Sequence, residues 1–304
     1  MNTKSKKIVI VGGNGFIGTN LVSSLVGQNY YVTVFVRKRD RAKHLWPLPR
    51  TEIIEYENSV TSMSKLLSEK DLVINLVGVL QSKRGTPWGD DFEKAHIQLT
   101  KNLVESAIEV GCNNFIHISA LGSDKNAPSM YLRSKAESER ILHESNLNNV
   151  IILRPSVVFG PGDKFLTMFA KMHRFLPFIP LATHSSLFQP IYVGDLVRII
   201  KKCIQDSSLA NKTYDCVGPE VFSLGELVNL AGTLSNRKKF VVPLPDILGR
   251  IQAFFMEKIP GPTLLSRDNL DSASIPNVAQ NSKDVFPLSN PTDIKSIANE
   301  YLNF

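Results

Sequence analysis

The chain has 304 residues, of which 43% are hydrophobic and 21% charged, and its formal net charge is +7. This composition is typical of a globular protein and predicts a sizeable core in one large domain with a smaller appended lobe. Charge or proline interrupts every apolar run well short of the roughly 18 to 20 residues that a membrane helix needs. Because the amino terminus lacks the pattern of a secretory signal or transit peptide, we expect a cytoplasmic protein.

Cysteine spacing and charge distribution exclude two classes of site. Cys112, Cys203 and Cys216 lie far apart, without a Cys-x-x-Cys pair or a histidine at ligand spacing. This pattern predicts neither a disulfide framework nor a metal site. The basic residues are spread along the chain, and their densest run, Arg37 to Lys43, falls where a cofactor phosphate could explain it. We therefore expect no metal and no nucleic-acid partner.

Short β-branched runs alternate with helix-length stretches in the first half of the chain. The predicted strands are Lys7–Val11, Tyr31–Val36, Ile53–Ile54, Leu72–Val77, Phe115–Ile118 and Val150–Leu153, and the predicted helices are Phe16–Gly27, Thr61–Glu69, Asp91–Val110 and Ser129–Asn146. Strands that are apolar on both faces and alternate with helices predict a parallel sheet covered on both sides. The predicted fold class is α/β, with a doubly wound parallel Rossmann sheet.

The pattern becomes irregular after Gly160. A loop-rich, proline-containing stretch precedes predicted strands at Pro190–Val193 and Thr213–Val217, with a helix at Leu196–Gln205 between them. Two short helices, a strand at Phe240–Val242 and a tail rich in Pro, Asn and Ser then predict a small C-terminal α+β lobe. We assign residues 1–165 and 188–217 to the Rossmann domain, and residues 166–187 and 218–304 to a lobe that holds a substrate or partner.

The segment from Asp246 to Lys258 is amphipathic. Its apolar residues repeat at helical spacing and so share one face: Ile247, Leu248, Ile251, Phe254 and Phe255. Packing against the rest of the lobe is the favoured interpretation, because amphipathic helices usually serve a core. An apolar substrate pocket or a docking surface for a membrane complex is the alternative.

A glycine array follows the first strand directly and opens the first helix. Gly12, Gly15 and Gly18 form Gly-x-x-Gly-x-x-Gly, with Asn14 between the first two of these glycines and Phe16 and Ile17 between the last two. Such an array provides a tight turn, a backbone that approaches a pyrophosphate, and close packing of helix on sheet. Free N–H groups and the positive end of the helix dipole hold the anion. We predict a dinucleotide site here.

The residue at the end of the second strand indicates which dinucleotide is preferred. An enzyme that selects NAD usually carries Asp or Glu there to hold the ribose 2′-hydroxyl. This chain carries Arg37, followed by Lys38 and Arg39. A guanidinium can hold a 2′-phosphate that a carboxylate would repel, so NADP(H) is predicted, with NAD(H) as the alternative. A solvated loop of charges is the competing interpretation.

Tyr131 and Lys135 lie four residues apart, which places both on one helical face. The Lys135 cation would hold the nicotinamide ribose and lower the tyrosine pKa, so that the phenol exchanges a proton with a carbonyl or an alcohol. Ser119, at the end of the fifth strand, would bond the same substrate oxygen. We predict that Ser119, Tyr131 and Lys135 are the catalytic residues.

With these motifs the chain resembles the extended or atypical short-chain dehydrogenases/reductases, also described as NAD-dependent epimerase/dehydratase-like proteins. More narrowly, it resembles the group that contains the NAD(P)-binding accessory subunit of respiratory complex I and its bacterial relatives. The matching segments cover nearly the whole chain: Gly12 to Gly18, Asn75 to Gly78, Phe92 to His96, Ser119 to Gly122, Tyr131 to Lys135, Arg154 to Gly160, Gln189 to Asp195, and Gly261-Pro262.

The resemblance implies further cofactor contacts. Asn75, Val77 and Gly78 would lie near the ribose, and Pro155, Val157 and Val158 near the nicotinamide carboxamide. Ser59 stands where relatives often carry Asp, so its contact with the adenine amine would lack the charge.

Two functions follow from the resemblance. The favoured one is an NADP(H)-dependent oxidoreductase that acts on a carbonyl or alcohol, with a small-molecule or quinone-like substrate. The alternative is an NADPH-holding accessory or assembly subunit of a membrane respiratory complex, peripheral to the inner face of an energy-conserving membrane.

Overall fold

The computed structural model describes residues 5–28, 30–259 and 265–302. The strands are β1 Lys7–Val11, β2 Tyr31–Val36, β3 Thr51–Glu55, β4 Leu72–Asn75, β5 Asn114–Ile118, β6 Asn149–Pro155, β7 Val158–Phe159, β8 Phe178–Leu181, β9 Leu187–Phe188, β10 Ile191–Tyr192, β11 Lys212–Cys216, β12 Phe222–Ser223 and β13 Phe240–Pro243. The Gly261-Pro262 segment of the resemblance lies outside the described residues.

The α-helices are α1 Phe16–Val26, α2 Val60–Leu67, α3 Asp90–Phe92, α4 Leu99–Glu109, α5 Met130–His143, α6 Phe165–Phe175, α7 Val193–Gln205, α8 Leu224–Leu234, α9 Asp246–Met256, α10 Arg267–Ala273 and α11 Ile294–Tyr301. A π-helix, Glu93–Gln98, joins α3 to α4, and 3-10 turns span Arg39–Leu45 and Ser207–Leu209. No helix among the described residues is long and apolar enough to cross a membrane.

The chain forms two compact units. The first comprises residues 1–119, 134–153 and 197–214, and the second comprises residues 120–133, 154–196 and 215–304. The division into a Rossmann domain and a lobe at the boundaries given above remains a prediction.

A seven-stranded parallel sheet dominates the first unit, and its strand order is β11-β6-β5-β4-β1-β2-β3. Strand β1 pairs with both β2 and β4, so the order reverses at β1. Ligands of doubly wound sheets bind beyond the carboxyl ends of the strands at such a switch point. Val11, at the end of β1, is opposite Asn75, at the end of β4. The loops that follow these two strands therefore start side by side.

Apolar residues on both faces of the sheet explain why helices cover it. One cluster on the first unit's sheet contains Val9, Phe35, Phe115 and Ile152, packed with Leu103 of α4. Burying side chains of this size stabilises the fold by about 1.5 to 3 kcal/mol each. The predicted doubly wound α/β fold is confirmed.

The second unit has its own core, to which α6, α8 and α11 contribute Phe169, Leu227 and Ala298. Helix α6 and strand β8 lie in the stretch that was expected to be loop-rich. That expectation was wrong because Pro177 precedes the edge strand β8 and Pro180 lies within it, and an edge strand tolerates a missing N–H. After Gly218 the described residues contain four helices, α8 to α11, rather than two.

Candidate functional site

The glycine loop between β1 and α1 is shaped for close approach of a ligand to backbone. Gly12 has φ +83°, a conformation that residues with a side chain rarely adopt. A β-carbon on Gly18 would lie 2.5 Å from the carbonyl oxygen of Gly12, so no side chain fits where the helix meets the loop. Gly15 occupies the N-cap of α1 without a capping side chain, and the first turn contains no acidic residue. The start of α1 therefore keeps the N–H groups and positive dipole that suit a pyrophosphate.

The basic segment after β2 lies against the same end of α1. Asn14 donates from Nδ2 to the carbonyl oxygen of Arg41 at 3.4 Å, and the hydroxyl of Thr19 lies 3.0 Å from Nε2 of His44. The backbone N–H of Arg39 donates to Glu55 at 2.5 Å. The Arg37 side chain is exposed beside this anchored segment. The structure thus places the cation predicted to hold a 2′-phosphate in the same region as the glycine loop.

Asn75 shapes the turn after β4. Its side chain is fully buried, accepts from the N–H of Val77 at 3.1 Å and donates to the hydroxyl of Thr100 at 3.3 Å. The strand therefore ends at Asn75 and not at Val77 as predicted, because the Asn75 carboxamide bonds the backbone two residues on. The turn brings Val77 against the glycine loop, where a β-carbon on Gly12 would lie 3.2 Å from the Val77 nitrogen.

Ser59 has an observed structural role. Its hydroxyl accepts from the N–H of Ser62 and caps α2. Its contact with an adenine amine remains a prediction.

Lys135 connects three parts of the first unit. Its ammonium donates to the carbonyl oxygen of Ile118 at 2.7 Å and to that of Val77 at 3.4 Å. Ile118 ends β5 and precedes Ser119, whose N–H donates to Leu153 at 2.7 Å. The structure therefore holds Ser119, Lys135 and the turn at Val77 at one end of the sheet. The lysine is only 2% exposed, and this burial lowers its pKa to about 8, opposed by the Glu139 carboxylate.

Two buried histidines support the helix segment that carries Lys135. His96 accepts from the N–H of Val79 at Nε2 (3.0 Å), so its Nδ1–H donates to the hydroxyl of Ser134 at 2.8 Å. Burial, reinforced by the Lys135 charge, lowers the pKa of His96 to about 2. Its position in the π-helix Glu93–Gln98 fits the frequent occurrence of π-turns at functional sites.

His117, in strand β5, is the second of these histidines. Its Nε2 lies 3.0 Å from the hydroxyl of Ser138, which in turn donates to the carbonyl oxygen of Lys135 at 2.7 Å. Burial lowers the pKa of His117 well below its usual value. Both imidazoles are therefore neutral supports of the lysine helix.

Tyr131 belongs to the second unit, in the first turn of α5. Its backbone N–H donates to Asp268 at 3.1 Å, and the N–H of Met130 donates to the other carboxylate oxygen at 2.7 Å. Asp268 thus caps the helix that carries the Tyr-x-x-x-Lys motif. Sequence reasoning missed it, because Asp268 lies 137 positions after Tyr131 and no motif links the two.

Burial raises the pKa of the Tyr131 phenol to about 12. The expectation that Lys135 lowers this pKa was therefore wrong for the ligand-free protein. Burial removes water that would stabilise the charged phenolate, and this is the cause of the raised pKa.

Asn277 organises the segment predicted to face the nicotinamide. Its Oδ1 accepts from the hydroxyl of Ser156 at 2.6 Å and from the N–H of Val157 at 3.3 Å, and its Nδ2 donates to Leu121 at 3.2 Å. The N–H of Leu121 donates to Pro155 at 2.9 Å, and Val158 enters β7, which pairs with β10. Like Asp268, Asn277 lies in the C-terminal part of the chain and belongs to no motif that sequence reasoning could use.

Comparison with known families agrees with this geometry. Residues 8–217 match the model of the NAD dependent epimerase/dehydratase family. The chain belongs to this family. The match extends from β1 through the end of the sheet, so it includes the glycine loop, Ser119, Tyr131 and Lys135.

Curated relatives of this chain include subunits of mitochondrial NADH dehydrogenase and a sugar-nucleotide epimerase. The chain is 30% identical over 267 residues to the mitochondrial NADH dehydrogenase [ubiquinone] 1 alpha subcomplex subunit 9 of Arabidopsis thaliana, covering 83% of this chain and 65% of that protein. The Mus musculus subunit is 29% identical, with 78% and 63% covered. The chain thus spans just under two thirds of these relatives. A UDP-glucose 4-epimerase of Vibrio cholerae is 25% identical, with 79% of each covered. The motif-based resemblance is confirmed.

Solved structures show the same epimerase/dehydratase fold. A nucleoside-diphosphate-sugar epimerase from Staphylococcus aureus superimposes with a TM-score of 0.77 at 17% identity, over 96% of this chain and 99% of that one. A UDP-glucuronic acid 4-epimerase from Bacillus cereus, solved with NAD, gives 0.67 at 22% identity over 78% and 87%. The cofactor class of the family is therefore NAD-type dinucleotide, which fits the side-chain-free cradle of the glycine loop.

Proposed function

We propose that the protein is an NADP(H)-dependent oxidoreductase that acts on a carbonyl or alcohol of a small-molecule or quinone-like substrate. The observation that carries the proposal is Lys135. Burying an ammonium is unfavourable, yet this one lies beside Ser119 and the turn at Val77, bonded to two backbone carbonyls. A buried cation with a shifted pKa at a ligand-binding edge is characteristic of a functional site.

Each residue has a separate chemical task. The nicotinamide, when bound, supplies or accepts the hydride. Lys135 holds the ribose hydroxyls with the ammonium donors that now bond Ile118 and Val77. The Ser119 hydroxyl orients the substrate oxygen. Tyr131, whose pKa of about 12 keeps it a neutral phenol, donates a proton to that oxygen during reduction.

Preference for NADP(H) over NAD(H) is part of the proposal. It is supported by the exposed Arg37 at the end of β2, with the neighbouring exposed Lys38 and Arg39. A phosphate can accept two parallel bonds from a guanidinium, whereas the 2′-hydroxyl of NAD(H) cannot.

A second candidate is an NADPH-holding accessory or assembly subunit of respiratory complex I, peripheral to the inner face of the membrane. The names of the Arabidopsis and mouse relatives favour it. The two candidates differ in whether the Tyr131 proton is needed.

Tyr131→Phe separates the candidates, because it keeps the ring and removes only the phenolic hydroxyl, and with it the proton that catalysis would use. If the protein is an oxidoreductase, NADPH affinity should stay within about twofold, while turnover with an accepted carbonyl substrate falls about a hundredfold to ten-thousandfold. The assay is single-turnover NADPH oxidation against a carbonyl and quinone panel. Tyr31→Phe, at a half-exposed tyrosine of β2, is the matched control and should leave both quantities unchanged.

Complementation of a deletion strain completes the test. Failure of Tyr131→Phe, despite normal fold and NADPH affinity, would support the enzyme. Full complementation would reject catalysis and leave the accessory role.

A further inference from the structure

Helix α9 presents its large apolar side chains to solvent, opposite to the favoured expectation. Its exposed face, here called the α9 face, comprises Ile247, Leu248, Ile251, Phe254 and Phe255, and Ile247 and Phe255 are 73% and 62% exposed. The buried residues of the helix are the small Gly249 and Ala253. Packing through these is close, since a β-carbon on Gly249 would lie 2.5 Å from that of Ala182.

A second apolar surface adjoins the place where α9 packs. Ala182 directly follows β8, and β8 pairs with β13 so that Phe178 is opposite Phe240. Both rings are exposed, Phe240 by 86%. The exposed residues around this pair form what we call the β13 patch: Phe175, Leu176, Phe178, Phe240 and Val242. The β13 patch and the α9 face together comprise ten exposed large apolar side chains, whereas soluble proteins usually expose such residues singly.

Positive charge surrounds these apolar residues. Residues 164–178 and 237–259 contain eight Lys and Arg against two Asp and Glu, a net +6 of the chain's +7. The N–H of Lys239 donates to Nδ1 of His173 at 3.0 Å, which brings Lys238 and Lys239 next to Arg174. On α9, the ammonium of Lys258 lies 4.2 Å from the centre of the Phe254 ring. Cations thus border both apolar surfaces.

We propose that the α9 face and the β13 patch dock on the surface of an anionic phospholipid bilayer. Outward-facing Phe, Leu and Ile with bordering Lys and Arg are the pattern by which amphipathic helices lie in a membrane interface. Each cation near an anionic leaflet adds attraction, and long basic side chains can extend their charged ends toward the headgroups while their methylene stems lie along apolar surface. A two-fold pairing of this face with a second copy would place +6 against +6, which disfavours that occupant.

This inference deepens the peripheral membrane placement proposed above and is independent of catalysis by Tyr131. It is tested with the full chain by co-sedimentation with vesicles of phosphatidylcholine, with and without 30 mol% phosphatidylglycerol, about the content at which anionic attraction is strong. The chain should bind the anionic vesicles and lose most of that binding when salt rises from about 0.1 to 0.5 M.

Variants identify the surface. Phe254→Asp with Phe255→Asp should weaken vesicle binding by at least about tenfold, and Lys238→Glu with Lys239→Glu by at least about twentyfold. Controls are Val221→Asp, a half-exposed apolar residue outside both surfaces, and Lys283→Glu with Lys295→Glu, which changes net charge equally. Melting temperature and NADPH affinity should be unchanged throughout. Should the Phe254/Phe255 variant fold poorly, Phe240→Asp replaces it, since that ring is almost fully exposed.

Three results would overturn the proposal. The first is absence of binding to anionic vesicles, and the second is equal loss in the control variants. The third is a dimer, seen by light scattering, that the Phe254/Phe255 variant dissolves, because it would assign the face to a second copy. Normal NADPH turnover without vesicle binding would reject the docking surface alone, whereas vesicle binding without turnover would reject only the oxidoreductase.

Discussion

Arg37 and Lys135 differ in how far their charges are exposed to water. Arg37 is solvated at the end of β2, free to close on a ligand, whereas Lys135 is buried and held by backbone carbonyls. The exposed guanidinium loses hydration only when a phosphate binds, and the charge-assisted bonds that it then forms offset this cost. The buried ammonium is already held in place, so it should support binding of either dinucleotide. Arg37 should therefore govern selectivity and Lys135 general affinity.

Replacing Arg37 by Asp should reverse the cofactor preference. Loss of a charge-assisted bond is worth about 1.5 to 3 kcal/mol, which weakens NADPH binding about tenfold to more than a hundredfold. NADH binding should hold or improve, because a carboxylate there bonds the ribose 2′-hydroxyl. Calorimetric titration of both dinucleotides measures this, with Arg50→Asp, an exposed arginine outside the loop, as control. Equal or tighter binding of NADH by the unmodified protein would refute the preference.

At the scale of elements, helix α5 is fixed by residues from distant parts of the chain. Asp268 caps its first turn, and His96 and His117 bond Ser134 and Ser138 along it. The Tyr-x-x-x-Lys spacing was visible in the sequence because it is local. These supports were not, since a buried His or a capping Asp has no periodic signature and acquires its role only when the tertiary fold forms.

His96 makes the stability of the protein sensitive to acid. Its pKa of about 2 in the folded state lies below the ordinary 6.5, so only the unfolded chain gains a proton as pH falls below 6.5. The unfolding free energy should therefore decrease by about 1.4 kcal/mol per pH unit on account of this group.

His96→Gln tests this contribution, because glutamine can donate and accept without titrating. Denaturant unfolding between pH 6.5 and 4.5 measures how the unfolding free energy depends on pH. In the variant this slope should correspond to about one proton fewer than in the unmodified protein. His143→Gln, on the same helix α5, serves as the control. An unchanged slope in the His96 variant would show that the imidazole is not kept neutral by the fold.

For the whole molecule, the sequence predicted the doubly wound sheet because strands buried on both faces read as continuous apolar runs. The sequence also located the glycine loop, because its motif directly follows β1, and the position of Ser119, because it directly follows β5. Prediction from the sequence failed in the second unit. Short edge strands that contain proline show no clear alternation of apolar and polar residues, and helix α9 exposes its large apolar residues instead of burying them. Amphipathic spacing identifies an apolar face but not what covers it, so the outward orientation of Phe254 and Phe255 required the structure.

The central claim, that the start of α1 holds the pyrophosphate of NADPH, is tested most directly by calorimetric titration of NADPH into Gly15→Asp. Gly15 has extended backbone angles that any residue adopts, and a β-carbon there would lie 3.3 Å from the carbonyl oxygen of Gly12, so Asp can take this N-cap position with a small adjustment of the loop. The same carboxylate would repel a pyrophosphate at about 4 Å with about 4 kcal/mol. We predict one NADPH per chain for the unmodified protein and for Gly27→Asp, which places the same charge at the opposite end of α1, and at least a hundredfold loss for Gly15→Asp. Absence of NADPH binding by the unmodified protein, or equal affinity in Gly15→Asp, would contradict the account.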